Sequence, residues 1–371
     1  MTLSPSPTEG IALVSLPLDG GGLGRGGVEK MMISSTLARF VAGVAIVGAV
    51  LCSVGFWADA STSTASSHQA LPAEDRALAY LGREVPRWRA ENGCYSCHNN
   101  GDGARALYVA VGLSRRVPPE SLADTTAWLA DPGKWDDNPG DPAGSDKGLA
   151  RIQFAAALVA AVDAGLVDDR AALLQAADRL AKDQKQDGSW RVDAAGSVGS
   201  PATYGAALAT YLARRTLARA DRVRFQAEID RANRWTLRQE AKTVLDAAAV
   251  LLALGEMKPG TADNEQERLL ELIRRGQSQE GGWGPYVTAP PEAFDTAVVL
   301  LALAGLRENK GVEAMVARGL WFLAATQLPD GSWPETTRPT GSESYAQRLS
   351  TTAWATMALL ATRRVDARDR N

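Results

Sequence analysis

A seven-residue pattern of Gln, three residues, Gly, one residue and Trp occurs three times between residues 184 and 333. The copies are 184–190 (Gln-Lys-Gln-Asp-Gly-Ser-Trp), 277–283 (Gln-Ser-Gln-Glu-Gly-Gly-Trp) and 327–333 (Gln-Leu-Pro-Asp-Gly-Ser-Trp). The glutamine is expected to end a helix, where its amide can satisfy unpaired backbone groups. Glycine supplies the left-handed turn that stops the helix, and tryptophan folds back as an apolar plug whose indole N–H needs a partner. Recurrence at one spacing predicts a repeat architecture.

Each of these turns is followed by a segment rich in Ala and Leu, and three more segments of the same kind occur without the full turn motif. The six predicted helices are 105–113, 152–164, 200–214, 244–254, 294–306 and 350–361. A more polar, amphipathic helix is predicted before each of them. The units therefore begin near Ala73, Glu120, Arg170, Phe225, Glu265 and Lys310. Six helical hairpins that begin at such intervals along the chain are typical of helical repeats.

The two helices of a unit differ in which faces they can expose. Residues 247–254 are apolar on every side and must be buried all round, whereas residues 265–275 have one polar and one apolar face. An inner ring of buried helices inside an outer ring of amphipathic helices satisfies both requirements. The predicted fold class is therefore all-α, an α/α toroid of about six hairpins over residues 73–364, followed by a tail at 365–371.

The run Cys94-Tyr95-Ser96-Cys97-His98 is a C-x-x-C-H motif. It predicts covalent attachment of one haem c, because the two thiols can add to the two vinyl groups of a porphyrin while His98 serves as the proximal iron ligand. A redox disulfide is an alternative, but no βαβ pattern surrounds the cysteines. Zinc is another, but a closed zinc site needs four ligands. The remaining cysteine is Cys52 and the remaining histidine is His68.

The sequence does not decide which residue, if any, is the sixth ligand of such an iron. No methionine occurs between His98 and Met257. Met315 and Met357 belong to the last unit, which a closed ring places beside the first. His68 is a further candidate, and five-coordinate iron with an open face is the last possibility. The choice decides between an electron carrier and a haem-linked ligand sensor.

At its turn motifs the chain resembles the squalene–hopene cyclase and protein prenyltransferase superfamily. The resemblance covers about residues 73–364, which is one barrel, whereas triterpene cyclases carry two. It is also similar to exported single-barrel proteins of this kind in which a C-x-x-C-H motif replaces the first turn. Tyr80-Leu81 holds the aromatic-Leu position of the repeat, and Gly93-Cys94 falls where Gly and Trp would be. The resemblance implies a barrel cavity that takes a terpenoid or another apolar substrate.

The catalytic residues of these families do not all carry over. Triterpene cyclases protonate a double bond with an Asp-x-Asp-Asp-Thr-Ala run whose middle Asp is the acid. Here residues 292–297 read Glu-Ala-Phe-Asp-Thr-Ala, so Phe294 stands at the acid position, and Asp295 is expected to cap a helix. The prenyltransferase zinc set of Asp, Cys and His is missing, since no Cys or His follows His98. No catalytic residue is therefore assigned.

Two further groups of residues receive structural interpretations. The Asp- and Asn-rich stretch 136–141 is expected to be a solvated turn. Tyr204, Tyr211 and Trp354 lie on predicted inner helices, where they could line a ligand cavity, but core packing is the expectation.

Residues 1–60 are interpreted as an N-terminal extension plus a signal peptide, with translation expected to start at Met31 or Met32. Lys30 and Arg39 precede an uncharged apolar run at 40–58, and Ala58-Asp59-Ala60 resembles a signal cleavage site. The alternative is an uncleaved anchor, because 19 apolar residues can span a bilayer. Residues 61–72 form a polar linker. We expect a periplasmic protein, or a membrane-anchored one facing the periplasm, with membrane contact only in the second case.

Three functions follow from these observations. The first is an exported c-type haem protein in electron transfer or haem-linked ligand binding, with a redox partner protein or a small apolar ligand. The second is a cyclase-like enzyme that processes a terpenoid or prenyl lipid in the barrel cavity. The third is an interaction scaffold without haem. Nucleic acid is not an expected partner, because the net charge of −3 gives no basic surface for phosphates.

Overall fold

The computed structural model describes residues 71–140, 146–192, 204–306, 311–336, 338 and 343–368, with side chains through residue 362. The predicted extension and signal, most of the linker, Cys52, His68 and the end of the tail lie outside these residues. None of the described helices has the length and apolar character needed to cross a membrane.

Six helices of the described chain form an inner ring and six form an outer one. The inner helices are α2 (Ala104–Gly112), α4 (Lys147–Asp163), α6 (Gly205–Asp221), α8 (Val244–Leu254), α10 (Ala293–Ala304) and α12 (Tyr345–Arg368). The outer helices are α1 (Ala73–Asn92), α3 (Ala123–Leu129), α5 (Arg170–Asp183), α7 (Gln226–Leu237), α9 (Asp263–Gly276) and α11 (Val312–Thr326). A π-helical segment, Cys97–Gly103, leads into α2, and short 3₁₀ turns at Pro119–Ser121 and Pro132–Lys134 flank α3.

The inner ring closes on itself. Each inner helix packs against the next along the chain, and α12 packs against both α10 and α2. Three outer helices, α1, α5 and α7, each pack against two neighbouring inner helices, as α5 does with α4 and α6. The prediction of an α/α toroid of six hairpins is confirmed, and the last unit lies beside the first, since α1 also contacts α12.

Burial follows the composition of each helix. The inner helix α8 is buried on nearly all sides, with only Asp246 and Leu252 partly exposed. The outer helix α9 buries one stripe, made of Leu269, Leu270 and Ile273, and turns its charged residues outward. An apolar stripe on one face suffices for a helix that packs against the ring from outside, whereas a helix within the ring needs apolar residues all round.

The glycine of each turn motif lies where the chain meets the next outer helix. Gly188, Gly281 and Gly331 have φ of 98°, 91° and 96°. A Cβ at these positions would lie only 2.3, 2.5 and 2.4 Å from a backbone carbonyl oxygen of α7, α11 and α1 respectively. Only glycine meets both demands, the positive φ and the close approach.

The tryptophan of each turn plugs its own hairpin. Trp190, Trp283 and Trp333 are at most 2% exposed. Each indole Nε1 donates to a carbonyl near the end of the preceding outer helix, at Leu180 (2.8 Å), Ile273 (2.8 Å) and Leu323 (2.7 Å). Each backbone N–H donates to a threonine hydroxyl of the following inner helix, at Thr210, Thr296 and Thr352. The turn thus fastens the outer helix of a unit to its inner helix.

The glutamine of each turn ends its outer helix, as expected, but its amide bonds the turn and the next unit and not the end of its own helix. Its Nε2 donates to the glycine carbonyl of the turn and to a carbonyl in the following outer helix. Those second acceptors are Glu228 (2.9 Å), Met315 (2.9 Å) and Ala73 (2.8 Å). The bond from Gln327 to Ala73 spans the seam between the last and the first unit.

Candidate functional site

A cavity of about 580 Å³ lies at the centre of the ring, and all six inner helices line it. Its wall is mostly aliphatic, with residues such as Val159, Leu212 and Leu301. Three aromatic side chains also contribute to the wall, namely Tyr108, Tyr211 and Trp354. The charged lining residues are Arg105, Asp163 and Arg215. Such a volume is within the usual range for small-molecule sites.

The cavity opens at the C-terminal ends of the inner helices. On α2 its lining residues run from Arg105 to Leu113 at helical spacing, a rise of about 12 Å. Arg105 and Tyr108 at the near end of this stripe are buried, whereas Gly112 is exposed. Asp163 and Gly305 are exposed at the corresponding ends of α4 and α10. The buried end is called the floor and the exposed end the mouth.

Three aromatic rings pack together beneath the floor. Tyr204, Phe294 and Trp354 are each at most 1% exposed, and their centroids lie 5.7 to 6.1 Å apart in tilted or edge-on arrangements. Core packing was expected for Tyr204, Tyr211 and Trp354. The structure bears this out for Tyr204, whereas Tyr211 and Trp354 also line the cavity.

A buried carboxylate lies next to this cluster. Asp102, in the π-helical segment, is 1% exposed and accepts hydrogen bonds from Tyr204 Oη (2.6 Å) and Gln153 Nε2 (2.8 Å). Trp354 Nε1 in turn donates to Tyr204 Oη (3.0 Å). Burial, together with the charge of Asp102, raises the pKa of Tyr204 well above 10, so Tyr204 remains a donor. No sequence pattern pointed to Asp102 or Gln153, because their partners lie far along the chain.

The segment that corresponds to the cyclase acid motif has a different role here. Phe294 belongs to the aromatic cluster. Asp295 is not the helix cap that was expected, since Glu292 occupies that position in α10 and no side chain bonds the helix end. Asp295 is instead fully buried and paired with Arg338, whose Nη2 lies 2.5 Å from its Oδ2 and 3.1 Å from Glu292.

The carboxyl of Asp295 is poorly solvated despite that ion pair. Burial raises its pKa to about 7, and the nearby charge of Glu292 acts in the same direction, while Arg338 opposes them. Its Oδ1 is buried without a hydrogen-bond partner among the described residues. Asp295 is not one of the residues that line the central cavity.

The cysteine motif follows α1 directly. Gly93 ends that helix with φ of 71°, and its N–H donates to Arg89 O (3.0 Å). Cys94 is 2% exposed, and Trp88 Nε1 lies 3.3 Å from its Sγ. Gly93 thus has the left-handed conformation of the turn glycines, and Cys94 is buried like the turn tryptophans. The motif lies between the outer and the inner helix of the first unit, where three later units have their turn.

A loop from the second unit holds the motif in place. Asn138 accepts from Tyr95 N (3.0 Å) and donates to Tyr95 O (2.7 Å). The ring of Tyr95 stacks on Trp128 with centroids 4.3 Å apart. The stretch around Asn138 was expected to be a solvated turn, and no signal in the sequence linked it to the cysteines.

His98 lies in the π-helical segment, which packs against α1, α4 and α12. The imidazole is 3% exposed, and its Nδ1 lies 2.9 Å from Ser350 Oγ of α12. A proximal iron ligand needs open space for the porphyrin plane at its metal-binding nitrogen, and protein atoms surround this imidazole. As packed here, the residues do not fit a haem. Haem attachment at Cys94, Cys97 and His98 therefore stays a prediction that requires this segment to be repacked.

Of the candidate sixth ligands, Met357 can be placed relative to the motif through Ser350, the partner of His98. Met315 and Met357 are 5% and 3% exposed, and Met357 lines the central cavity. It lies seven residues beyond Ser350 on α12, about 10 Å along the helix. His68 is outside the described residues, within which no cluster of three or more His, Cys, Asp or Glu side chains could hold a metal ion.

Comparison with known proteins bears on the ring as a whole. Residues 237–371 match a family model described as the squalene-hopene cyclase C-terminal domain. The type II terpene cyclase MstE from Scytonema, solved without ligand, is similar over 78% of this chain and 97% of its own, with a TM-score of 0.52 and 17% identity. The chain has the fold of a cyclase-like α/α toroid.

Two further structures of MstE variants extend this comparison. One is a complex with geranylgeranyl dihydroxybenzoate, its substrate, and has a TM-score of 0.51 at 15% identity over 78% of this chain and 97% of that one. The other is a complex with the product, merosterolic acid A, and has a TM-score of 0.51 at 16% identity over 78% and 96%. No curated protein matches the sequence. At these identities the likeness concerns the fold alone.

Proposed function

We propose that this protein binds an isoprenoid lipid in its central cavity and processes it, as a terpenoid-acting enzyme on a cyclase-like toroid. The observation that carries the proposal is the cavity of about 580 Å³ that all six inner helices line. The fold positions this cavity, and the similar protein MstE is a type II terpene cyclase solved with a geranylgeranyl compound.

The lining supports this choice of ligand. An isoprenoid chain is apolar and gains free energy when aliphatic side chains such as Val159 and Leu301 replace water around it. Tyr108, Tyr211 and Trp354 add aromatic rings, whose faces attract positive charge. A cationic intermediate of terpenoid chemistry would be stabilised by such rings.

The proposal does not include an acid at position 294. A phenyl ring has no proton to give, and Phe294 is fully buried between Tyr204 and Trp354. Asp295 faces Arg338 and not the cavity. A reaction that begins with protonation must therefore take its proton from another group than these two.

The test has a binding step and a chemical step. Purified protein is titrated with a fluorescent isoprenoid probe, and then incubated with squalene and with geranylgeranyl lipids before extraction and mass spectrometry of the products. Saturable binding and a new product are expected. Absence of saturable binding to every isoprenoid would refute the proposal.

A pair of matched variants locates the binding site. Ala304→Phe places a ring in the cavity wall, whereas Ala317→Phe places the same ring on the exposed face of α11. The first variant is expected to weaken probe binding at least tenfold and the second to leave it unchanged. Equal binding by both variants would locate the ligand elsewhere on the molecule.

A further inference from the structure

Arg105 is a buried, charged residue whose side chain borders the cavity. It lies in the first turn of α2, is 9% exposed, and lines the floor. Its guanidinium carbon lies 5.0 Å from the centroid of the Trp354 ring. An arginine in so apolar a place is unusual, because charged side chains are almost never fully buried unless they are paired.

Arg105 has no such pair among the described residues. None of its nitrogens donates a hydrogen bond to a described residue, no carboxylate lies within ion-pair distance, and its Nη1 is buried without a partner. Asp102 is the nearest candidate in sequence, but its two oxygens already accept hydrogen bonds from Tyr204 and Gln153. The Trp354 ring therefore lies against this cation, and the charge of Asp102 favours it without a hydrogen bond or an ion pair between the two side chains.

Another buried arginine of the inner ring shows what pairing looks like in this fold. Arg214 of α6 is 1% exposed, and its Nη1 lies 2.9 Å from Glu256 while its Nε donates to Asn233 (2.6 Å). Both arginines have a pKa lowered by burial, but only the pKa of Arg214 is raised in return by a hydrogen-bonded carboxylate. Arginine stays protonated in proteins, so Arg105 is a cation whose hydrogen-bonding capacity is unused.

The other charges of the cavity are at the mouth and are already satisfied. Asp163 pairs with Arg219, and Arg215 donates to Tyr211 Oη (3.0 Å) and lies 3.6 Å from Glu256. Between floor and mouth the wall is aliphatic and aromatic over about 12 Å along α2. The cavity thus has one unsatisfied cation at its closed end and an apolar passage leading to it.

We propose that the floor of the cavity is a binding site for a carboxylate, and that the ligand is an apolar chain that ends in a carboxylic acid and enters head first. This inference deepens the proposed function and rests on it, since it names the class of isoprenoid. A planar guanidinium matches a carboxylate with two parallel hydrogen bonds, and the chain behind the head group would fill the apolar passage.

Three probes test the inference by calorimetric titration of the full chain: geranylgeranoic acid, the corresponding alcohol geranylgeraniol, and palmitic acid. The acid is expected to bind roughly 10- to 100-fold more tightly than the alcohol, the range for a hydrogen bond to a charged group. Equal affinity of acid and alcohol would overturn the inference and leave the proposed function intact. Failure of all three to bind would refute the proposed function itself.

Variants assign the preference to the residue. Arg105→Met is expected to abolish the preference for the acid, whereas Arg215→Met at the mouth is expected to keep it. Retention of the preference in Arg105→Met would overturn the inference. Tight binding of palmitic acid that is lost in the same variant would support the carboxylate site and show that the chain need not be isoprenoid.

Stability gives an independent readout. Because Arg105 has no hydrogen bond or ion pair to lose among the described residues, Arg105→Met is expected to unfold at the same or a higher temperature than the parent. Arg214→Met removes the bonds to Glu256 and Asn233 and is expected to unfold at a lower temperature. A large loss of stability in Arg105→Met would show that the cation is satisfied within the protein, against the inference. Arg105→Lys, which keeps the charge without the planar fork, is expected to retain part of the acid preference.

Discussion

The turns at the edge of the ring and the inner ring differ in how their buried polar side chains are hydrogen-bonded. At the turns, the glutamine amide and the tryptophan indole each find a backbone carbonyl, and the same bonds recur in three units. At the inner ring, Arg105 Nη1, Gln153 Oε1 and Asp295 Oδ1 are buried without partners among the described residues, whereas the turns contain one such side-chain atom, Ser278 Oγ. Unsatisfied buried polar atoms are rare and concentrate at functional sites. The turns therefore serve stability, and the centre is where function is to be sought.

The largest effect is expected from removing a turn tryptophan. Trp333→Ala takes a fully buried indole out of the last turn and leaves Leu323 O without its donor. A loss of about 3–5 kcal/mol in the free energy of unfolding is expected, measured by urea denaturation. Trp321→Ala on the outer surface, where the indole is 65% exposed, is the control and is expected to cost far less. Similar losses in the two variants would contradict the assignment of the turns to stability.

Substitutions at Gly331, which lies at the seam, and at Gly311, which precedes α11, separate two causes of strain. Gly331 and Gly311 have nearly the same φ, 96° and 97°. A Cβ at Gly331 would lie 2.4 Å from Arg76 O, whereas one at Gly311 would meet nothing within 4 Å. Gly311→Ala is expected to cost about 1–2 kcal/mol from the backbone alone, and Gly331→Ala clearly more, since it also forces α1 away. Equal unfolding free energies in urea would show that the close approach at the seam does not matter.

The burial of Asp295 in the inner ring is expected to make the stability of the protein depend on pH. The pKa of Asp295 is raised from 3.8 to about 7 in the folded protein, so folding favours the protonated form. The stability that this proton contributes is fully present below about pH 4 and is lost as the pH rises towards 7. Asp295→Asn is expected to remove about 1–3 kcal/mol of that decline, measured as unfolding free energy at pH 4.5 and 7.5.

The control for that experiment is an aspartate on an outer helix that is only partly buried. Asp178→Asn breaks a surface ion pair with Arg224 and is expected to keep the pH slope of the parent. If Asp295→Asn also keeps the parent's dependence of stability on pH, folding does not raise the pKa of Asp295, and this part of the prediction is wrong.

The smallest effect on stability is expected at the cysteine motif, where the readout is spectroscopic. Cys97 is only half-buried, so Cys97→Ser is expected to change the free energy of unfolding by less than about 1 kcal/mol. If haem c is attached, protein from a host that matures cytochromes keeps a Soret band after acid–acetone extraction, and the Cys97→Ser variant does not. A colourless parent protein would end the haem prediction and leave the central cavity as the functional site.

Much of the ring could be predicted from residues close together in the chain. The apolar helix around Ala248, the amphipathic helix around Leu270 and the left-handed glycines all depend on local spacing, so the six hairpins and their order followed from the sequence. The equivalence of Gly93-Cys94 to a turn was also visible, because glycine has the same conformational role in both places.

The sequence alone thus determined the number of units, their inner and outer helices and the turns between them, because periodicity and turn chemistry act within a few residues. Only the tertiary structure decided where the turn glutamines bond, which face of α2 borders the cavity, and that Asp102, Tyr204 and Trp354 form one network across 102 and 150 residues of chain. The same holds for Arg105. Arg105 lacks a hydrogen-bonding partner among the described residues because of the side chains that the closed ring brings near it. These come from distant parts of the chain, so no local pattern predicts it.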